Sequence, residues 1–190
     1  MKSIAKNTLL LLLLLFIPAM AMSQTDLFGK PDTVFAELAK INQSTWTVTI
    51  SITNDEWVQA LSLPFEMHSG KTKVVGDSAV YAGGRVEEFS FKGFRADTTI
   101  QCITMGLLAN MGRTQNFMTP GDGRVVTVFV SSIDGSPVEE LSIDTTTTKP
   151  NNSLQMIANA IQFTTPPDSI PQDRFNDLLI VPAFVVKYAE

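Results

Sequence analysis

The stretch Thr45-Trp46-Thr47-Val48-Thr49-Ile50-Ser51-Ile52-Thr53 decides the fold of this chain. Apolar residues occupy every second position, and hydroxyl residues occupy all the positions between them. Side chains of a strand alternate between two faces, so the pattern predicts a β-strand with one buried and one wet face. A strand of an all-parallel sheet would be apolar on both faces. The stretch therefore favours an antiparallel, sandwich-like domain with Trp46 in its core.

Short runs of the same type, separated by turn residues, lie on both sides of this strand. We predict further strands over residues 60–67, 73–81, 85–91, 100–108, 125–130, 141–143 and 184–188. Residues 32–41 carry apolar side chains at helical spacing, but a first strand over 33–38 is the alternative that the strand-rich context favours. Together these runs predict an all-β fold, a single antiparallel β-sandwich of about eight or nine strands.

Three local signals refine this prediction. Gly83-Gly84 can adopt positive φ and predicts a tight hairpin between the strands over 73–81 and 85–91. Pro64 has no backbone N–H, so we expect its strand at a sheet edge or with a bulge. The dense β-branched run over 125–130 predicts a central strand.

Residues 1–21 have the features of an export signal. Lys2 and Lys6 precede the apolar run Leu9 to Ile17, and Ala19-Met20-Ala21 offers the small-x-small pattern of a signal peptidase site. The run is much shorter than the roughly 20 residues that span a bilayer. We therefore expect cleavage after Ala21, no membrane span, and a protein exported to the periplasm or secreted from the cell.

Composition limits the partners that the mature chain can have. Removal of residues 1–21 takes two lysines and no acidic residue, which moves the formal net charge from −5 to −7. An acidic chain is not expected to bind nucleic acid or an anionic membrane surface. A short lead-in over 22–31 and one domain over 32–190 remain, long enough for one core. The only cysteine, Cys102, cannot form an internal disulfide and is expected to be a buried thiol.

Two parts of the sequence resemble a known family. The strand over 46–53 continues into Asn54-Asp55-Glu56 and Leu63-Pro64-Phe65, and Gly121-Asp122-Gly123 later leads into the strand over 125–130. This succession is similar to that of cohesin-like domains of bacterial secreted proteins, which share a jelly-roll sandwich with some carbohydrate-binding modules. The resemblance covers residues 32–188 and implies a module that binds a calcium-loaded dockerin. The chain differs from the family's usual context in having one such domain and no dockerin calcium loop.

Catalytic signals are weak. His68 is the only histidine and is expected to be solvent-exposed at a strand end, and no Gly-x-Ser-x-Gly elbow accompanies it. One histidine and one cysteine cannot supply a zinc site. Within a strand, Glu87-Glu88 and Glu139-Glu140 would each point to opposite faces, so neither pair forms a dyad alone. We expect no enzyme activity, although a glycoside hydrolase with carboxylates paired at long range stays open.

Calcium is the one cofactor that the sequence leaves open. Its ligands are carboxylates and carbonyls arranged around loops. Candidate loops contain Asn54-Asp55-Glu56, Asp122, Asp134 and the acidic residues of 168–177, and none has the spacing of an EF-hand. Ordinary turn usage explains most of them, so we predict no required cofactor while a structural calcium stays an alternative.

Two sets of residues are candidates for binding. Thr47, Thr49 and Ser51 belong to a flat, uncharged hydroxyl surface that could dock another secreted, dockerin-like protein. Trp57 is the one candidate for an exposed ring that stacks on a polysaccharide, and a lone ring makes a weak sugar platform. We therefore predict a non-catalytic module for protein–protein attachment in an extracellular or periplasmic assembly, with a carbohydrate-binding module as the alternative.

Overall fold

The computed structural model describes residues 30–109, 116–146, 153–158 and 179–189, which form eleven β-strands and no helix. The strands are β1 (Thr33–Lys40), β2 (Thr45–Asn54), β3 (Val58–His68), β4 (Val74–Val80), β5 (Phe91–Asp97), β6 (Cys102–Leu108), β7 (Gly121–Ser132), β8 (Ser142–Thr145), β9 (Gln155–Ala158), β10 (Leu179–Ile180) and β11 (Ala183–Tyr188). In these ranges no segment is a helix of the length and apolarity that crossing a membrane requires. The predicted export signal over 1–21 lies outside the described residues.

Two sheets form the sandwich. One has five strands in the order β11-β1-β2-β7-β4, and the other has six, in the order β10-β9-β3-β6-β5 with β8 beside β3. Among the described ladders, only β1 with β11 is parallel. The predicted all-β sandwich is confirmed, and the alternative strand over 33–38 is realised as β1. The strand count exceeds eight or nine because no residue pattern indicated the short β9 and β10.

The core lies between the sheets and follows from the alternation in β2. Trp46, Val48, Ile50 and Ile52 are all buried and face the other sheet. Trp46 Nε1 donates a hydrogen bond to the Val138 carbonyl at 3.2 Å, so the ring's one polar atom is satisfied in the core. Burial of an aliphatic side chain contributes about 1.5 to 3 kcal/mol, and this row therefore holds β2 in the middle of its sheet.

The predicted hairpin at Gly83-Gly84 and the predicted strand over 85–91 are wrong. β4 and β5 belong to different sheets, so the connection between them crosses from one sheet to the other. Gly83 has a φ of 68°, and successive turns follow it, with Glu87 N donating to Gly84 O at 3.0 Å. Val86 and Phe89 are both buried in the core. The apolar residues of this segment therefore belong to turns that pack against the core.

The position of Pro64 also differs from the prediction. β3 is an interior strand, paired with β6 on one side, where Pro64 lies opposite Thr104. On the other side β9 pairs with β3 as far as Ser62 and β8 pairs with it from Phe65 onward. Pro64 thus occupies the point where the neighbouring strand changes. The missing N–H is tolerated there because neither short strand has a register partner for Pro64.

Two further expectations agree with the structure. β7, which contains the β-branched run, is flanked by β2 and β4. Cys102 is buried on β6, and its burial raises the pKa of the thiol, with the Glu66 carboxylate as a smaller contribution in the same direction.

Candidate interaction surfaces

The outer surface of the five-stranded sheet, which we call the hydroxyl face, contains three of the predicted site residues. Thr47, Thr49 and Ser51 lie half-buried on β2, the middle strand. In the sheet register Thr49 lies between Glu37 of β1 and Thr127 of β7. The hydroxyl residues of β2 therefore share one surface with residues of β1 and β7.

Polar groups of the hydroxyl face bond to one another. The Oγ1 atoms of Thr49 and Thr127 are 3.4 Å apart, and Arg124 donates to Thr127 Oγ1 at 3.3 Å and to the Ala82 carbonyl. Lys187 Nζ lies 4.5 Å from the centroid of the Phe35 ring. This surface therefore satisfies much of its own polarity within the sheet.

The outer surface of the six-stranded sheet, which we call the apolar face, has a different composition. Register pairs align one apolar residue from each of five strands in a single row. The members of this row are Phe91, Leu108, Ala60, Ile157 and Leu179. Phe91 is 44% exposed and Leu108 is 38% exposed. Two large apolar side chains thus face solvent side by side on β5 and β6.

Glycines and carboxylates follow the apolar row on the same face. Gly93 and Gly106 are register partners, and a Cβ added at Gly106 would meet no atom within 4 Å. The Phe91 ring lies over Gly93, where a Cβ would meet it at 2.9 Å, so the depression beside the row is at Gly106 alone. Farther along the strands Glu66 pairs with Asp144 of β8, and Asp97 lies two strands from Glu66, across Cys102. Arg95 pairs with Thr104 between the glycines and Asp97, so the border of the apolar row contains three carboxylates and one guanidinium.

Trp57 lies apart from the hydroxyl residues. It precedes the first residue of β3, in the six-stranded sheet, whereas Thr47, Thr49 and Ser51 belong to the other sheet. Its side chain is exposed, and its ring meets Phe117 edge-on at a centroid distance of 6.4 Å. The structure therefore does not bring the four predicted site residues into one site.

A cleft of about 370 Å³ opens at one end of the sandwich, lined by Trp46, His68, Glu139, Glu140 and Tyr188 among others. The His68 side chain is exposed, as predicted, and its Nε2 lies 4.0 Å from Glu66 Oε1. Glu139 Oε2 lies 3.5 Å from Lys40 Nζ. Both contacts join side chains that reach solvent.

Three carboxylates come together at the sandwich end where β1 begins and β2 turns into β3. Ligand oxygens of Asp32, Asp55 and Glu56 all lie within 4.8 Å of one another. A side-chain hydrogen bond with Glu56 and the Lys30 N–H, at 2.9 Å, hold the pKa of Asp55 below its usual range. The sequence had singled out Asp55 and Glu56. It missed Asp32, which only the pairing of β1 with β2 brings to the same place.

Cohesin modules are among the solved structures that share this architecture. A non-cellulosomal cohesin from Archaeoglobus fulgidus has a TM-score of 0.51 and 11% identity, covering 85% of this chain and 93% of its own. The sixth cohesin of scaffoldin B from Acetivibrio cellulolyticus, solved in complex with a Cel5 dockerin mutant, has a TM-score of 0.53 and 10% identity, covering 84% and 100%. The cohesin of a type I Coh-OlpA–Doc918 cohesin–dockerin complex from Clostridium thermocellum has a TM-score of 0.53 and 12% identity, covering 84% of this chain and 100% of its own.

The likeness concerns the fold. No family model matches the sequence, and no curated protein matches it either. At identities this low the shared feature is a cohesin-like β-sandwich, as the resemblance of the sequence implied, and function does not follow from fold alone.

Proposed function

We propose that this chain is an exported, non-catalytic module that binds another protein through its apolar face. The observation that carries the proposal is the pair of exposed apolar side chains, Phe91 and Leu108, in an apolar row on a sheet surface of a cohesin-like sandwich. Cohesin modules of the same fold were solved in complex with dockerins, which supports a protein partner of the dockerin type. Export rests on the features of residues 1–21.

The chemistry of the apolar face fits a protein partner. Covering apolar surface contributes about 25 cal/mol per Å² removed from water, and Phe91 and Leu108 both offer such surface. The depression at Gly106 leaves room for a partner's side chain beside that row. Interfaces combine an apolar centre with a polar rim. The border is mainly acidic although it includes Arg95, and this favours a partner with basic residues at its rim.

The hydroxyl face is the second candidate surface. It presents the uncharged side chains of Thr47, Thr49 and Ser51. Several hydroxyl and charged groups of this face are already in contact with other residues of the same sheet. A partner would gain fewer new contacts there. Trp57 supports a polysaccharide ligand only as a single ring, already in contact with Phe117.

A capture experiment tests the proposal. The immobilised chain is exposed to the secreted proteins of its source organism and to a polysaccharide panel, with calcium or with chelator. Two matched columns carry Leu108→Arg on the apolar face and Thr49→Arg on the hydroxyl face. We expect one protein to be retained by the wild type and by Thr49→Arg and to be lost from Leu108→Arg.

Other results contradict the proposal in distinct ways. Loss on Thr49→Arg alone would assign docking to the hydroxyl face. Retention of a polysaccharide that Trp57→Ala abolishes, with no protein enriched, would make the chain a carbohydrate-binding module. A wild-type column that retains neither class would reject the binding function.

A further inference from the structure

Buried acidic side chains close one end of the sandwich, outside both faces described above. The acidic cluster consists of the carboxylates of Asp32, Asp55 and Glu56 together with the neutral amide of Asn54. Asp32 is 2% exposed, Asn54 is 4% exposed and Glu56 is 3% exposed, whereas Asp55 reaches solvent. Ionised carboxylates removed from water are costly unless positive charge or hydrogen bonds compensate them. Asp32 and Glu56 therefore place two carboxyl groups out of contact with water.

Two positive groups of the described residues act on this end of the sandwich. Arg85 lies close enough to Asp32 to interact with its charge, and it donates to the Ile52 carbonyl at 2.7 Å and to that of Thr119. Arg85 also interacts with Asp122, and the charge of Lys30 acts on Asp55. Within residues 30–109, 116–146, 153–158 and 179–189, the charges of Arg85 and Lys30 thus act on carboxylates at this end of the sandwich.

Spacing within the acidic cluster suits a shared cation. Calcium binds oxygen ligands at about 2.3–2.6 Å, so two oxygens on one ion lie at most about 5 Å apart. Carboxylate oxygens of Asp32, Asp55 and Glu56 meet this limit, since all lie within 4.8 Å of one another. The same closeness makes three ionised carboxylates repel when no cation is between them.

Asn54 provides an independent observation. Its Nδ2 donates to the carbonyls of Glu56 and Thr119, and only the amide nitrogen can donate, so these bonds fix the orientation of the amide. Oδ1 is buried and has no hydrogen-bond partner among the described residues. Thr33 pairs with Thr53, so the register continues with Asp32 opposite Asn54, and both side chains point inward like Val34 and Ile52. A buried acceptor oxygen therefore lies beside the carboxylates.

We propose that the acidic cluster binds one calcium ion through oxygens of Asp32, Asn54, Asp55 and Glu56. The donor set is entirely carboxylate and amide oxygen, which suits a hard cation. Calcium accepts several carboxylates and an amide carbonyl, whereas magnesium keeps most of its waters and uses one or two carboxylates. A bound calcium ties the start of β1 to the turn between β2 and β3, and so joins the two sheets.

Terbium luminescence and calorimetry test this proposal on the full chain without any partner protein, so the result is independent of the proposed function. Trp57 directly follows Glu56 and serves as the sensitiser for terbium, a luminescent substitute for calcium. We expect terbium emission that calcium displaces, calorimetric binding with a Kd of about 1 mM or tighter, and a Tm higher by about 5 °C in calcium than in chelator.

Matched variants locate the site. Asp32→Asn and Asp55→Asn each remove one charged ligand and are expected to weaken calcium binding by about 10- to 100-fold, whereas Glu88→Gln, on an exposed turn, leaves it unchanged. Asp55 is exposed, so its variant folds even if the buried one does not. Equal weakening by Glu88→Gln would overturn the assignment. The absence of binding at about 10 mM calcium would also overturn it, and a proton shared between carboxylates would then be the compensation. Tighter binding of magnesium than of calcium would overturn it as well.

Discussion

The two outer faces of the sandwich are built on strands of the same kind and differ in what those strands present. On the hydroxyl face, Thr49 and Thr127 contact each other and Arg124 bonds back to the sheet. On the apolar face, Phe91 and Leu108 point to solvent beside a pair of glycines. One face satisfies its own groups, and the other offers apolar surface. Regular outward hydroxyls can therefore bond to one another across a sheet, whereas outward apolar side chains leave apolar surface in contact with water.

The sharpest test of this contrast is a charge placed at equivalent depth on each face. Leu108→Arg should weaken binding of the captured protein by at least about 30-fold, or about 2 kcal/mol, because it removes a central apolar contact and places an unpaired charge in the interface. Thr49→Arg should leave the Kd within a factor of two or so. Surface-based titration of the two variants measures both, and the reverse order of effects would invert the comparison.

A smaller change tests the depression beside the apolar row. Gly106→Ala should raise the free energy of unfolding by about 0.5 kcal/mol, since alanine restricts the unfolded chain and its Cβ meets no neighbour. The same methyl should weaken partner binding about tenfold, or about 1.4 kcal/mol, by filling the depression. Urea unfolding and titration give the two numbers. If stability and affinity both rise, the depression is not part of the interface.

Tyr81 follows β4 of the five-stranded sheet and should affect stability alone. Its Oη is buried without a hydrogen-bond partner among the described residues, and burial raises its pKa from 10.0 to about 12. The unfolded chain therefore loses this proton first, and wild-type stability should fall between pH 10.0 and about 12. After allowance for partial exposure, the loss is about 1 kcal/mol.

Tyr81→Phe is the corresponding variant. It should match or slightly exceed the wild type below pH 10, because no buried hydroxyl is left unsatisfied, and it should lack the alkaline loss. Urea unfolding midpoints of wild type and variant, measured below pH 10 and near pH 12, test this expectation. An identical alkaline decline in wild type and variant would assign the loss to other groups.

The smallest expected effect is at the centre of the hydroxyl face. Thr49→Val removes one hydroxyl from the 3.4 Å contact with Thr127 and keeps the β-branched shape. The free energy of unfolding should change by less than about 0.5 kcal/mol, and partner binding should not change. A loss above about 1 kcal/mol would mean that the lateral contacts hold the sheet together.

The sequence was sufficient for the fold where alternation was strict. β2 could be predicted from its own residues because each apolar side chain was followed by a hydroxyl one. β6 shows the limit: Leu107 is buried and the adjacent Leu108 is exposed, and two consecutive leucines do not indicate which one faces the core. The apolar row depends on the registers of five strands, which no local pattern contains.

Long-range pairing also explains the missed carboxylate. Asp55 and Glu56 were visible as a loop with calcium-type ligands, but Asp32 joins them only through the register of β1 with β2. The Pro64 expectation was wrong for a related reason. A proline in a strand suggests a sheet edge if each side of the strand has one continuous neighbour. Here two short strands, β8 and β9, share that side of β3.

The parallel ladder of β1 with β11 has a mechanical consequence. Six register pairs, from Thr33 with Ala183 to Leu38 with Tyr188, join the first strand to the last. Because the strands run in the same direction, the chain enters at residue 33 at one end of the ladder and leaves at residue 188 at the other. A force that pulls these two points apart runs along the strands and loads the slanted hydrogen bonds together in shear. The domain is thus arranged to resist tension transmitted through its two ends.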